Sequence, residues 1–321
     1  MAKITTQIAL ESLRLSGQME DFGPNSKNPY LAIDLSDLNS KFSKWLTQLP
    51  CPVIGIGTGP LSDHVDVHIH DTKPLKKIVR NIEAAPFASM ILVQHLRASE
   101  MQSSAHALTA ESLAYATLQD GPEFTDWNKN TLKSAPLPTA QNDLLTEVAG
   151  NILSLTFNRP DTRNAIGTDM RDALCNALNI AILDPSISKV YLTGNGPTFS
   201  TGGAVEEFGE VSDPTTAHWI RSLRLPASKI LQIQDKLHVH VNGAAIGAGV
   251  EIAAFGQSVT ASSRAWFQLP ELKYGLIPGA GGTVSLPRRI GRQKTGYLAF
   301  SMEKIRANTA LDWGLIDAIK D

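Results

Sequence analysis

Residues 241–282 constrain this chain more than any other stretch. Val239–Val241 is β-prone, Ala244–Gly249 carries almost no side-chain bulk, and VEIAAF (250–255) continues with helical apolar spacing. A turn built from Gly and Ala lets backbone approach a ligand closely and leaves N–H groups unpaired at the helix start. Those donors, with the positive end of the helix dipole, suit an anion or a developing oxyanion. Glu251 falls in the first turn of that helix, and Glu271 follows in a loop that Pro270 keeps from continuing as helix. Two carboxylates near one oxyanion-type turn suit proton addition and removal beside a carbonyl.

The stretch resembles the enoyl-CoA hydratase/isomerase (crotonase) family, whose signature runs N-G-x-A-x-G-G-G-x-E-L, then P-E-x-x-x-G and I-P-G-x-G-G-T. The chain has NGAAIGAGVEI, PELKYG and IPGAGGT in that order and at similar spacing. The resemblance covers about residues 145–319. It implies an α/β fold: a crotonase-like spiral of ββα repeats over 145–321, preceded by a smaller, non-catalytic α/β domain over 1–144. The order helix, P-V-I-x-x-x-x-G strand, strand, helix in that first domain reads as a degraded copy of the second.

The resemblance also implies an activity, the reversible syn addition of water to a 2-enoyl-CoA. Glu251 and Glu271 would hold the water, and the backbone N–H groups of Gly203 and Ala248 would hold the thioester oxygen. Arg163, Asn164 and Ala165 match the family turn along the adenine and phosphate side of coenzyme A, although a solvated arginine beside a turn explains Arg163 equally well. Gly202, Gly247 and Gly279 complete the implied coenzyme A set. Ala204 stands where the family often has Asp. Coenzyme A would enter as part of the substrate, with no separate cofactor and no metal. Two alternatives stay open: another CoA-thioester reaction of the family (isomerisation or hydrolysis), or a CoA-thioester-binding scaffold with little turnover. Family members continue past the G-L-I-D-x-I strand into helices that cover the site and build trimers or hexamers. The expectation here is a homo-oligomer in which the N-terminal domain supplies that cover or those contacts.

Length and composition agree with two soluble units. The chain has 321 residues, 42% hydrophobic and 19% charged, with a net charge of −2. That charge, without a Lys/Arg run, gives no reason to expect nucleic acid. No segment is long enough to span a bilayer and no signal-peptide core opens the chain, so a cytoplasmic location is expected. Cys51 and Cys175 lie far apart and read as buried thiols.

Taken in order, residues 1–29 read as polar, with GPNSKNP (23–29) as a loop. A helix is expected from Leu35 to Leu49, strands at 51–59, 65–69 and 88–96, and helices at about 74–84 and 109–119. The linker falls at 129–143. The second domain opens with strand 151–160 and continues with a helix at 168–183, a strand at 189–196 and a helix at 214–233; it closes with a strand in 311–319. Asp66, His68 and His70 would share one strand face and His238 and His240 another, a pattern that polar strand edges explain better than a metal does. GIGTGP (55–60) and GAGVEI (247–252) lack the last glycine of a nucleotide fingerprint. The pocket candidates Trp219, Trp266 and Tyr274 depend on packing.

Overall fold

The computed structural model describes residues 3–321 apart from 37, 133, 134, 136–141 and 212. The N-terminal part runs β1 (Ile4–Thr5), α1 (Gln7–Ser16), β2 (Leu31–Asp34), α2 (Ser43–Leu46), β3 (Val53–Ile56) and β4 (Val67–Ile69). Helices α3 (Leu75–Ala84), α4 (Pro86–Ser99), α5 (Ser104–Gln119) and α6 (Pro122–Asn130) follow. The four strands make one parallel sheet in the order β1-β2-β3-β4. Period-two alternation gives it two buried faces. Leu31, Ile33 and Val53 join Leu10, Phe42 and Leu46 in a small core, while Ala32, Ile54 and Ile56 face the main one.

The chain continues through β5 (Leu144–Ala149), β6 (Ile152–Phe157), α7 (Thr168–Leu183), β7 (Lys189–Gly194), β8 (Thr198–Ser200), α8 (Pro214–Arg224) and α9 (Pro226–Ile230). Then come β9 (Leu237–Val241), β10 (Ala244–Ile246), α10 (Ala248–Ala253), β11 (Ser258–Ala261) and β12 (Trp266–Gln268). The last elements are α11 (Gly282–Ile290), α12 (Arg292–Ser301), β13 (Ile305–Arg306), α13 (Ala307–Trp313) and β14 (Ala318–Ile319). Successive strands enter different sheets. β7, β9 and β11 belong to a six-stranded sheet ordered β14-β11-β9-β7-β6-β5, and β8, β10 and β12 to a four-stranded sheet ordered β13-β12-β10-β8. Each strand pair followed by a helix is one turn of a spiral, so neighbours within a sheet run parallel, as β9–β11 and β10–β12 do. The exceptions are the β5–β6 hairpin and β13 on β12. This is the expected α/β spiral of ββα repeats, preceded by a smaller α/β unit. β6 buries Leu153, Leu155 and Phe157 and leaves Ile152, Ser154 and Thr156 half-buried, as its alternation requires.

Several local expectations are corrected. Residues 88–96 are helix α4 and not a strand. Their near-continuous apolar run has no period to separate the two forms, and Pro86 at the first helical position favours helix. The helix expected from Leu35 to Leu49 is only α2 with a 3₁₀ turn at Ser40–Phe42 before it. The polar stretch before the loop at 23–29, given no element from the sequence, holds α1, capped by the Thr6 hydroxyl, which accepts from the Ala9 N–H at 3.3 Å. Helix 214–233 is broken into α8 and α9 at Pro226. In 311–319 only Ala318–Ile319 is strand, because α13 runs to Trp313 and ends on Gly314 at φ +81°. Of the linker expected at 129–143, residues 133, 134 and 136–141 lie outside the described residues.

One main core runs through both halves, joining Leu92, Leu96 and Leu108 to Phe255, Leu286 and Phe300. Asp66 is buried between Arg97 (Nε to Oδ1 2.8 Å) and Arg292 (Nη1 to Oδ1 2.9 Å), which commits the carboxylate to ion pairs across the halves. Asn81 Nδ2 donates to the Phe300 carbonyl at 2.7 Å.

Candidate active site

Two loops meet where β8 and β10 end side by side. After β8, Gly202 takes φ +86°, and a Cβ there would stand 2.5 Å from the Ile246 carbonyl oxygen, so only glycine lets the loops touch. The Ile166 N–H donates to the Gly202 carbonyl at 2.7 Å, and the Ala204 N–H donates to the Ile166 carbonyl at 3.1 Å. Pinned on both sides in this way, Gly203 is left with an N–H that has no partner among the described residues. Ala204 is itself buried, and these backbone bonds hold the loop where the family often uses Asp. After β10, Gly247 takes φ +50° and starts α10 at Ala248, whose N–H also has no partner among the described residues. Gly203 and Ala248 line one cavity of about 270 Å³.

Glu251 and Glu271 line the same cavity. Glu251 is 2% exposed, and its Oε2 accepts from the Ala280 N–H at 2.6 Å and the Gly282 N–H at 2.8 Å. Glu271 is not in plain loop, as expected, but is the first residue of a 3₁₀ turn (Glu271–Tyr274) that begins immediately after Pro270. Its Oε2 is enclosed without a hydrogen-bond partner among the described residues. Burial, with the Glu111 charge adding, pushes Glu271 up to about 8. Burial also raises Glu251 well above the ordinary carboxylate range, with the charges of Glu271 and Glu111 adding and the two N–H donors opposing.

The N-terminal part reaches this site through α5. Glu111 is 0% exposed and takes the two N–H groups that Glu251 leaves, Gly281 to Oε1 at 2.8 Å and Thr283 to Oε2 at 3.0 Å. Four successive N–H groups of one turn are thus shared alternately by two carboxylates. The Thr283 hydroxyl bonds Glu111 Oε2 at 2.6 Å and His95 Nε2 at 2.7 Å. Burial pushes His95 down to about 4, so its ring is neutral, and because the Thr283 hydroxyl donates to Glu111 it is left to accept from His95 Nε2. One turn further along α5, Tyr115 lines the cavity, with the Arg221 guanidinium carbon 4.3 Å from its ring centroid. Arg221 also donates to the Gly279 carbonyl.

Neither Glu111 nor Tyr115 was expected from the sequence. The available signal was that Glu111 is the single acidic residue of α5, whose remaining positions hold no Lys or Arg.

The turn expected to face coenzyme A has a second occupation. Asn164 is fully buried at φ +55°; its Oδ1 accepts from the Arg159 N–H at 2.8 Å and its Nδ2 donates to the Asn195 and Thr198 carbonyls at 3.0 and 2.8 Å. That side chain fastens the turn to β8. Arg163 is exposed, makes no ion pair among the described residues, and through its carbonyl accepts the Thr201 N–H at 3.1 Å. Ala165 donates to the Thr162 carbonyl at 3.2 Å. Of the aromatic candidates, Tyr274 lines the cavity; Trp219 is 62% exposed, and Trp266 stacks under Lys304.

The enoyl-CoA hydratase/isomerase family model matches residues 147–320. The chain belongs to the enoyl-CoA hydratase/isomerase (crotonase) family. Among its relatives, the 2,3-dehydroadipyl-CoA hydratase of Escherichia coli (strain K12) is 35% identical over 185 residues, 56% of this chain and 69% of the relative. The enoyl-CoA isomerase/hydratase fer4 of Mycosarcoma maydis is 28% identical over 197 residues, 59% of this chain and 72% of the relative. A solved enoyl-CoA hydratase of Thermoplasma volcanium GSS1 superposes with a TM-score of 0.51 at 29% identity, covering 56% of this chain and 73% of that one. This crotonase-family chain is therefore an enzyme of the lyase/isomerase class that works on CoA thioesters. No described helix is long and apolar enough to cross a membrane.

Proposed function

We propose that this crotonase-family enzyme is an enoyl-CoA hydratase, adding water reversibly and syn across the double bond of a 2-enoyl-CoA. The observation that carries the reading is one cavity lined by the buried Glu251, by Glu271 with its enclosed Oε2, and by two backbone N–H groups that have no partner among the described residues. The Gly203 and Ala248 N–H groups take the thioester oxygen, where negative charge grows as an enolate forms. Burial raises both carboxyls, and the Glu271 charge raises Glu251 further, so the pair favours a form in which one of them holds a proton. Glu251, whose Oε2 is held by two N–H donors that favour its ionised form, draws a proton from the water attacking C3. Glu271, with an enclosed oxygen that has no donor among the described residues, is the better acid and delivers its proton to C2. The product is a 3-hydroxyacyl-CoA, and the proton taken by Glu251 restores the pair.

The test is hydration of crotonyl-CoA and longer enoyl-CoAs, followed by loss of the enoyl thioester absorbance. Glu251→Gln and Glu271→Gln should each lower kcat by about 10²-fold or more with folding intact. Retained hydration in either variant would remove that glutamate from the mechanism. Double-bond migration without water uptake would move the assignment to isomerisation.

A further inference from the structure

The hydratase reading leaves one chemical requirement unfilled. Glu251 takes a hydrogen of the attacking water and Glu271 spends its proton on C2, so neither is left with a donor for the lone pairs of that oxygen. The same holds once the oxygen has become the C3 hydroxyl of the product. A donor facing the glutamates would complete the site.

Tyr115 meets the requirement. It lines the cavity with Glu251 and Glu271, and its hydroxyl has no hydrogen-bond partner among the described residues. That oxygen is not among the enclosed polar atoms, and its residue is part of the cavity wall. The ring is firmly seated. Gly279 lies against it so closely that a Cβ there would stand 2.2 Å from Tyr115 Cδ2, and Arg221 covers the ring from above. Arg221 also lines the cavity, but its guanidinium is turned to the Gly279 carbonyl and to the Glu111 carboxylate at 4.0 Å. Burial raises the phenol above its ordinary value, with Glu251, Glu271 and Glu111 adding and Arg221 opposing, so the hydroxyl keeps its proton throughout the working pH range. Glu111, one helical turn earlier on the same face of α5, ties the helix to Gly281 and Thr283 and fixes where Tyr115 stands.

We propose that Tyr115 is a substrate-contacting residue, its hydroxyl donating a hydrogen bond to the oxygen at C3 of the acyl chain. The proposal rests on the hydratase reading for the position of that oxygen. Tyr115 transfers no proton; it holds the water, and then the C3 hydroxyl, by donation alone. A segment outside the family match thereby contributes to the chemistry of the site.

Tyr115→Phe removes only the oxygen, and two unreactive thioesters read its effect. Acetoacetyl-CoA carries an oxygen at C3, whereas butyryl-CoA does not, and neither can add water. In calorimetric titrations the variant should bind acetoacetyl-CoA about tenfold more weakly and butyryl-CoA within about twofold of wild type. With crotonyl-CoA its kcat/KM should fall about tenfold or more. Equal weakening of both thioesters would assign Tyr115 a packing role and overturn the proposal. So would unchanged binding, or a wild-type protein that binds acetoacetyl-CoA no better than butyryl-CoA. Failure of the wild type to hydrate any enoyl-CoA would instead overturn the hydratase reading, and the ratio of the two affinities would still decide Tyr115.

Discussion

Glu271 works against the stability of the site it serves. Its carboxyl is enclosed, with Oε2 lacking a partner among the described residues, and its proton is held up to about 8 against an ordinary 4.5. The stability that the protonated form supports is therefore fully present below about pH 4.5 and lost as the pH rises through about 8. Glu271→Gln, which cannot ionise, should gain on wild type in melting temperature across that window, by a few degrees at pH 8, and stay level above it. Parallel melting curves from pH 5 to pH 9 would show that the carboxyl ionises alike in the folded and unfolded states, with no raised value. In the same window the kcat/KM of wild type should fall through about pH 8, because the acid form is the one that protonates C2. Glu251, Glu271, Gly203 and Ala248 were legible in the sequence because each sits inside a short motif whose turn chemistry is local. Glu111 and Tyr115 were not, because their partners lie some 170 residues away and no local pattern records that meeting.

At the scale of elements, α5 and α11 are joined mainly by one buried carboxylate. Glu111 accepts from Gly281, from Thr283 and from the Thr283 hydroxyl, and Arg221 faces it at 4.0 Å. Glu111→Ala would strand two buried N–H groups and a guanidinium, so it should cost about 3–5 kcal/mol in denaturant unfolding. Glu111→Gln keeps one acceptor and should cost less. Equal, small losses for both would mean that the turn finds other partners. The strands and helices of the spiral were readable because their burial is one-sided, as in β6, or capped by recognisable breakers, as in α7, which ends before Asp184-Pro185. α4 was misread for the opposite reason. It is apolar on so many sides, burying Ala88, Leu92, Val93 and Leu96 between neighbours, that its sequence carries no period. β5 escaped notice because Glu147, Val148 and Ala149 are exposed and only its pairing with β6 makes it a strand.

For the whole molecule, the main question is whether the two halves are separable. The sequence suggests a boundary near residue 145, since the family motifs begin there and a polar, proline-containing stretch precedes them. Packing argues otherwise. The main core passes without interruption from Ile54 and Val67 through Leu92 and Leu108 to Phe255 and Leu286. Asp66, buried, neutralises Arg292 from across the boundary, and α6 lays Trp127 against Tyr274 with ring centroids 5.0 Å apart. Cutting at 144 would expose that apolar surface, unpair Arg292 and open the cavity wall that α5 forms. The fragment 145–321 should therefore be insoluble, or compact without fixed tertiary packing, and inactive on crotonyl-CoA. The full chain should unfold in one calorimetric transition, with matching van't Hoff and calorimetric enthalpies. A soluble, active fragment, or two resolved transitions, would show that the halves fold independently. One transition, with activity lost in the fragment, would make the N-terminal half a structural part of the active site, in keeping with Glu111 and Tyr115 reaching into it.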